Sequence, residues 1–281
     1  MNLRATLGRS LAQFGLLTWT ALAIVPFILI ILLSFRSNGD IITSGLGLNG
    51  EFTIEGYRAA WTGPSGGGGM STFFANSMLV SATALTVNLG AGVTAAYFIS
   101  HVSQKLRAIF LRIVLAATVL PIIILLIPMY QGFNAVGLVN VPVAVGVAYG
   151  ALGLPGTILI CSAAFSDFPH ELLEAAAIDG MGPWRSYLTI VIPLSRSIIV
   201  AIGILTLINV WGETQLGVVL LQSPDSQTIP LGLLSFQGQF TSNYTAIFAG
   251  LAMGTVPIIV VYLIFQRYVT KGIALGGFGG K

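Results

Sequence analysis

Charge is what this sequence has least of. Asp, Glu, Lys and Arg make up 7% of its 281 residues, while 55% are hydrophobic; soluble domains carry about 25% charged residues. No Asp, Glu, Lys, Arg or His lies between Arg58 and His101, and none lies between Arg112 and Asp167. Apolar surface on that scale stays outward-facing only in lipid, so a soluble fold is excluded. Cysteine is nearly absent. Cys161 is the sole one, has no partner for an intrachain disulfide, and suits a small buried hydrophobe better than a reactive thiol. The two histidines, His101 and His170, fall in different polar loops and make no metal-ligand cluster. The pattern G-x-x-x-x-G-K-[ST] is missing, which excludes a P-loop nucleotide site on this chain. The glycine run Gly63–Gly69 is followed by no Lys-Ser/Thr and reads as a flexible linker. No Ser/His/Asp or Cys/His set points to catalysis, so the chain is not expected to be an enzyme. Its basic residues gather on no soluble face, and nucleic acid is not an expected partner.

What is present is a single all-α integral membrane domain over residues 1–281. The apolar stretches predict six spans at roughly 20 residues per crossing, at about 11–33, 73–99, 108–130, 141–165, 193–221 and 245–265. The uncharged stretch from Arg112 to Asp167 is too long for one crossing, and Gln131–Pro142 has the Gly, Asn and Pro of a turn. The first apolar block, Leu11–Leu33, is longer than the roughly 7–15 residues of a signal-peptide core and reads as a retained span. Placing the N-terminus in the cytoplasm puts ten of the twelve basic residues on the inner side, leaving Arg36 and Arg58 outside. That bias sets the orientation, with both termini cytoplasmic.

One inner segment is unlike the others. Residues 166–192, continuing to Leu194, form a long polar insertion between apolar spans. Pro169 suits a first helical turn, Glu171 places negative charge at its positive end, and Gly180 can supply a left-handed cap. The spacing predicts a short helix over Pro169–Asp179, with Leu173, Ala176 and Ala177 on one face and Glu171, Glu174 and Ile178 on another. Pro183 opens a second helical piece whose apolar stripe is Trp184, Tyr187, Leu188 and Val191. Ser166–Asp179 holds four acidic residues and no Lys or Arg, so anionic lipid would repel it. Consecutive alanines suit docking into a protein cleft instead.

These residues resemble a known family. The binding-protein-dependent ABC permeases share the pattern E-A-A, three residues, G, nine residues, I, one residue, L-P. Here Glu174-Ala175-Ala176 is followed by Gly180, Ile190 and Ile192-Pro193, with Ile192 replacing the usual Leu. Val210-Trp211-Gly212-Glu213, Pro257 and Phe265-Gln266-Arg267-Tyr268 with Lys271-Gly272 resemble the maltose-type (MalG-like) carbohydrate subfamily. Gly212 stands where that subfamily has Asn, and the tail Gly276–Lys281 also departs from it.

The resemblance implies a type I ABC importer permease fold in a bacterial or archaeal plasma membrane. It implies alternating access, an ABC ATPase dimer that binds ATP and Mg while this chain binds no cofactor, a second homologous permease subunit, and an extracytoplasmic solute-binding protein. Glu174, Ala175, Ala176, Asp179, Gly180 and Pro193 would form the contact with the ATPase, Glu174 pairing with a basic residue there. The segment Gln222–Tyr244 looks like the family's loop for the binding protein. A sugar is the expected cargo, with another polar solute such as a glycerol phosphate as the alternative.

Glu213 is the one carboxylate expected inside a span, and an acid there is a functional candidate because burying it is costly. Asn209, Trp211 and Gln215 flank it, so these residues are candidates for a substrate pathway; a structural Glu and an anchoring Trp are the competing roles. Two other classes stay open. An ion-coupled secondary transporter would need several buried acids near the midplane, and a membrane scaffold would need no polar loop at this place.

Overall fold

The computed structural model describes residues 3–45, 50–63, 68–166, 168–237 and 243–276, and side chains from Ala12 to Arg267 except that of His170. Asp167, residues 64–67 of the glycine run, residues 238–242 of the outer segment and the tail 277–281 lie outside them. The chain divides into two compact units, residues 1–71 with 232–256, and residues 72–231 with 257–281.

The first unit contains α1 (Leu3–Ser34), α2 (Asn38–Ser44), α3 (Glu55–Thr62) and the opening of α14 (Tyr244–Gly276). Arg36 anchors the segment after α1. Its guanidinium donates to the Gly50 carbonyl and sits 4.9 Å above the Phe52 ring. Phe35 packs on Tyr57 at 5.0 Å, and Ser34 and Tyr57 share a 2.8 Å hydrogen bond between hydroxyls. The basic group that sequence places outside the membrane therefore has a packing role. Gly56 of α3 lies so close to α14 that a Cβ there would stand 2.3 Å from Thr245 Cγ2.

The second unit carries α4 (Met70–Ser100, from Thr72 onward), α5 (Gln104–Thr118), α6 (Ile122–Ala135), α7 (Pro142–Ser166), α8 (His170–Ile178), α9 (Pro183–Ser186), α10 (Ile192–Leu194), α11 (Arg196–Gly212), α12 (Gln215–Leu220) and α13 (Ile229–Gly232, to Leu231). At 31 residues, α4 is about 46 Å long, against about 30 Å of hydrocarbon. It has enough length to project beyond the bilayer or to tilt strongly within it.

Helices α4 and α7 meet along a glycine seam. A Cβ on Gly146 would stand 2.7 Å from the Val80 carbonyl oxygen, and one on Gly150 would stand 2.7 Å from Val87 Cβ and 2.8 Å from the Ala84 carbonyl oxygen. Gly92 of α4 returns the arrangement, its virtual Cβ 2.6 Å from Thr157 Cγ2. In lipid, tails solvate leucine as well as a neighbouring helix does, so association rests on close backbone approach and interhelical hydrogen bonds. The spacing Gly146-x-x-x-Gly150 on one helix face supplies that approach.

Among the described residues, four helical stretches are long and apolar enough to cross a membrane: Ala12–Ser34, Met70–Ser100, Pro142–Ser166 and Tyr244–Arg267. The other two expected spans are not straight. Residues 108–130 were expected as one crossing, but α5 and α6 meet at 91°. Pro121 explains the break, because it has no N–H for the ladder and disfavours helix at the residue before it. Residues 193–221 were likewise expected as one crossing. Here Pro183–Leu194 meets α11 at 78°, and α11 ends at Gly212, before α12 begins at Gln215.

Candidate coupling loop and membrane cavity

Helix α8 begins after Pro169 and ends in a cap built by the glycine. Gly180 adopts φ +77°, its N–H donates to the Ala177 carbonyl at 3.0 Å, and the Met181 N–H donates to the Ala176 carbonyl at 2.9 Å. This pair of crossed bonds is a Schellman cap with glycine at the left-handed position. Asp179 stands at the last helical turn, its N–H on the Ala175 carbonyl at 3.0 Å. The spacing from Ala176 to Gly180 thus has a local physical cause: the glycine must follow its helix at the capping register. Gly182 and Pro183 then open α9, with proline where a missing N–H costs nothing.

Exposure sorts the faces of α8. Ala176 is buried and Leu173 half-buried, while Glu171, Glu174, Ala175 and Ile178 are exposed. Ile178 is 86% exposed, an apolar side chain presented to a partner or to water. Ala177 was expected to share the Leu173 face, but it is exposed; the inward stripe is narrower than spacing alone predicts. The second stripe also divides. Tyr187 and Val191 are buried, whereas Trp184 and Leu188 are mostly exposed. A π-helical turn over Tyr187–Val191 accompanies this, closed by the Ile192 N–H donating to the Tyr187 carbonyl. Pro193, one residue later, cannot donate to the Thr189 carbonyl and crowds it, which favours the wider turn.

An aromatic cluster ties this loop to the end of α4. Tyr97 lies 4.9 Å from Tyr187 and Phe98 lies 4.7 Å from Trp184, measured between ring centroids. The Tyr97 hydroxyl donates to the Pro183 carbonyl at 3.1 Å, and the Thr94 and Tyr187 hydroxyls are 3.0 Å apart. From α5, Arg107 donates to the Ser162 carbonyl at 3.1 Å and to the Ser166 hydroxyl. The root of the loop is therefore held from two helices.

The second feature is a cavity of about 350 Å³ between α7 and α11, lined by Tyr149, Thr157, Thr206, Asn209 and Glu213 among apolar neighbours. Of the four pathway candidates, the structure brings Asn209 and Glu213 to it. Trp211 is buried edge-on against Phe74 at 5.8 Å, and Gln215 is exposed beyond the helix break; neither lines the cavity. Glu213 is not within a helix. Its backbone is extended at φ −77°, ψ 135°, and its carboxylate accepts the N–H groups of Gln215 at 2.7 Å and Leu216 at 3.3 Å and the Tyr149 hydroxyl. Those N–H groups open α12 and would otherwise lack partners. The Gly217 N–H donates in turn to the Tyr149 hydroxyl at 3.0 Å.

Sequence reasoning missed the cavity's support. Asn88, wholly buried in α4, donates from Nδ2 to the Gly150 carbonyl at 3.2 Å and accepts at Oδ1 from Thr157 at 2.6 Å and Thr206 at 3.2 Å. One amide thus binds three helices. An amide deep in a long apolar span was the available signal.

Helices long and apolar enough to cross a membrane, with an exposed, glycine-capped helix between two of them, fit a transport permease subunit. The comparisons agree. Residues 88–275 match the family described as binding-protein-dependent transport system inner membrane component, and the chain belongs to it. It is 28% identical over 265 residues to the diacetylchitobiose uptake system permease protein NgcG of Streptomyces coelicolor, covering 94% of this chain and 86% of that one. It is 33% identical over 210 residues to the sulfoquinovosyl glycerol transport system permease protein SmoH of Agrobacterium fabrum, covering 74% and 73%. Its fold is shared with a chain in the crystal structure of a bacterial ABC transporter involved in import of the acidic polysaccharide alginate, at TM-score 0.81 and 19% identity over 95% of this chain and 98% of that one. The protein is a multi-pass membrane permease of an ABC importer, with ATP hydrolysis on a separate subunit and a solute-binding protein as partner. Family membership sets aside the ion-coupled and scaffold readings.

Proposed function

We propose that this chain moves a sugar into a bacterial or archaeal cell by alternating access, as one half of a permease heterodimer, with both termini in the cytoplasm. Helix α8 is the coupling helix. Glu174, Ala175, Ala176, Asp179 and Gly180 form or shape the surface that enters a groove on the ATPase, where ATP and Mg bind, and Pro193 shapes the return into the membrane. Asn209 and Glu213 face the solute path; Trp211 and Gln215 act in packing and at the helix break. The sugar assignment draws on the diacetylchitobiose and sulfoquinovosyl glycerol relatives, and on the polar groups of the cavity.

The observation that carries this function is the exposed face of α8. A short helix showing Glu174 and Ile178 outward is incomplete without a partner. Purifying the tagged chain from its native membrane is expected to bring down a P-loop ATPase and a second permease. Glu174→Lys reverses the charge at the contact, and misplacing one partner of an interfacial charge pair costs about 2–5 kcal/mol. ATPase recovery should drop by more than tenfold, with the second permease still present. Wild-type samples without any ATPase would refute the assignment.

A further inference from the structure

The cavity's hydrogen-bond polarity restricts what it can hold. Asn88 Nδ2 donates to a main-chain carbonyl, that of Gly150, at 3.2 Å. A carbonyl only accepts, so this contact fixes the amide orientation and turns Oδ1 toward α7 and α11. Thr157 and Thr206 both meet that oxygen, at 2.6 Å and 3.2 Å. Each hydroxyl has one proton, and both protons are spent on Asn88. The lone pairs of both threonines are what these residues can still offer at the cavity wall. Tyr149 behaves alike: its proton goes to Glu213, while its oxygen receives the Gly217 N–H. Glu213 itself is a carboxylate, an acceptor at both oxygens. Among the described residues that line the cavity, Asn209 alone has a side chain with N–H groups to give, and none is Lys, Arg or His.

We infer that this cavity takes solutes through hydrogen bonds the solute donates, the hydroxyls of a neutral sugar or the ammonium of an amino sugar, and excludes anionic sugars and phosphates. This rests on the sugar-importer assignment above and narrows its cargo. A uronate, sulfonate or phosphate would bring acceptors to a wall of acceptors and place its charge beside Glu213 with no cation to offset it, in surroundings that screen less than water. Asn88 is a positioning residue here. It touches no solute, and it sets the direction of two hydroxyls that do.

The test uses the complex of this chain with its permease partner and ATPase in detergent, with the binding protein left out. Calorimetric titration compares maltotriose, raffinose, chitotriose and chitosan trimer with trigalacturonate, an alginate trimer and glycerol 3-phosphate. The tightest ligand is expected in the first group, at least about tenfold tighter than any anion. In E213Q the gap between the groups should narrow by about tenfold, the usual effect of one charge-assisted hydrogen bond. The double variant T157V/T206V should weaken the tightest ligand about tenfold, and T157S/T206S should restore it, which a purely steric role would not predict. A tightest ligand among the anions, no binding by any probe, or an unchanged preference in E213Q overturns the inference. ATP hydrolysis by the same preparation reports separately on the importer assignment, which fails if no ATPase is present.

Discussion

Gly180→Val is expected to reduce solute uptake below about a tenth of wild type while leaving the chain in the membrane at normal abundance. The residue adopts φ +77°, and nothing lies within 4 Å of a Cβ placed there. The defect would therefore be conformational rather than steric. A left-handed backbone costs an ordinary L-residue about 1–2 kcal/mol, and a β-branched one more. That cost falls on a short exposed turn, which has little packing to hold it. The crossed bonds from Gly180 and Met181 back to Ala177 and Ala176 would open, and α8 would lose its fixed angle to α9. The spans do not depend on this turn, so insertion should proceed. Gly180→Asn provides the control, because Asn enters the left-handed region several-fold more readily than other side chains; it should retain most uptake. The comparison is read from transport assays normalised to membrane abundance by immunoblot. Equal uptake in the valine variant would show that the cap does not set coupling.

Gly150→Leu should have the opposite signature, a chain that fails to accumulate. Its Cβ would already stand 2.7 Å from Val87 Cβ and 2.8 Å from the Ala84 carbonyl oxygen. Backbone cannot swing aside as a side-chain tip can, so α4 and α7 must separate. Separation also takes the Gly150 carbonyl from Asn88, leaving a buried amide short of a partner. Overpacking costs about 1–3 kcal/mol and an orphaned buried polar group about 1–3 more. Together these are a large share of the stability of an ordinary domain, about 5–15 kcal/mol. Membrane abundance should decrease at least fivefold by immunoblot, with Gly150→Ala intermediate. Gly90→Leu is the matched control on α4, since its Cβ direction is open. If Gly150→Leu accumulates like Gly90→Leu, the seam is not what holds these helices together.

The contrast between these variants follows what sequence can carry. The Gly180 cap is local: glycine, helix and the bonds that join them lie within a few residues, so spacing alone located it. Apolar blocks likewise announce helices because hydropathy is a property of contiguous residues. Bends are harder. Pro121 is visible in the sequence, but so are Pro26, Pro128, Pro155 and Pro257, all of which sit inside helices. Only the packing around each one decides whether the chain turns. Glu213 was legible as an acid in apolar surroundings, but not as the carboxylate that meets the N–H groups of the next helix, because no hydropathy signal marks where α11 ends. Trp211 misled for a related reason: neighbouring helical positions face different ways, and Asn209 reaches the cavity while Trp211 packs on Phe74. Asn88 was visible as an amide deep in an apolar span, but its partners were out of reach. Its partners are 62, 69 and 118 residues away, and no local pattern joins them.

The glycine seam also bears on how such a protein can diversify. Where two helices touch through their backbones, almost every substitution adds volume that the neighbour cannot yield. The face of α7 against α4 is therefore nearly closed to innovation. The same helix presents Gly156 to the cavity opposite α11, and nothing lies within 4 Å of a Cβ placed there, so a side chain can be added without moving main chain. An ancestor with this seam would keep one rigid edge through many changes of diet and rewrite the other. Directed evolution toward a new cargo should start on the cavity-facing positions of α11 and at Gly156 of α7, with α4 left alone.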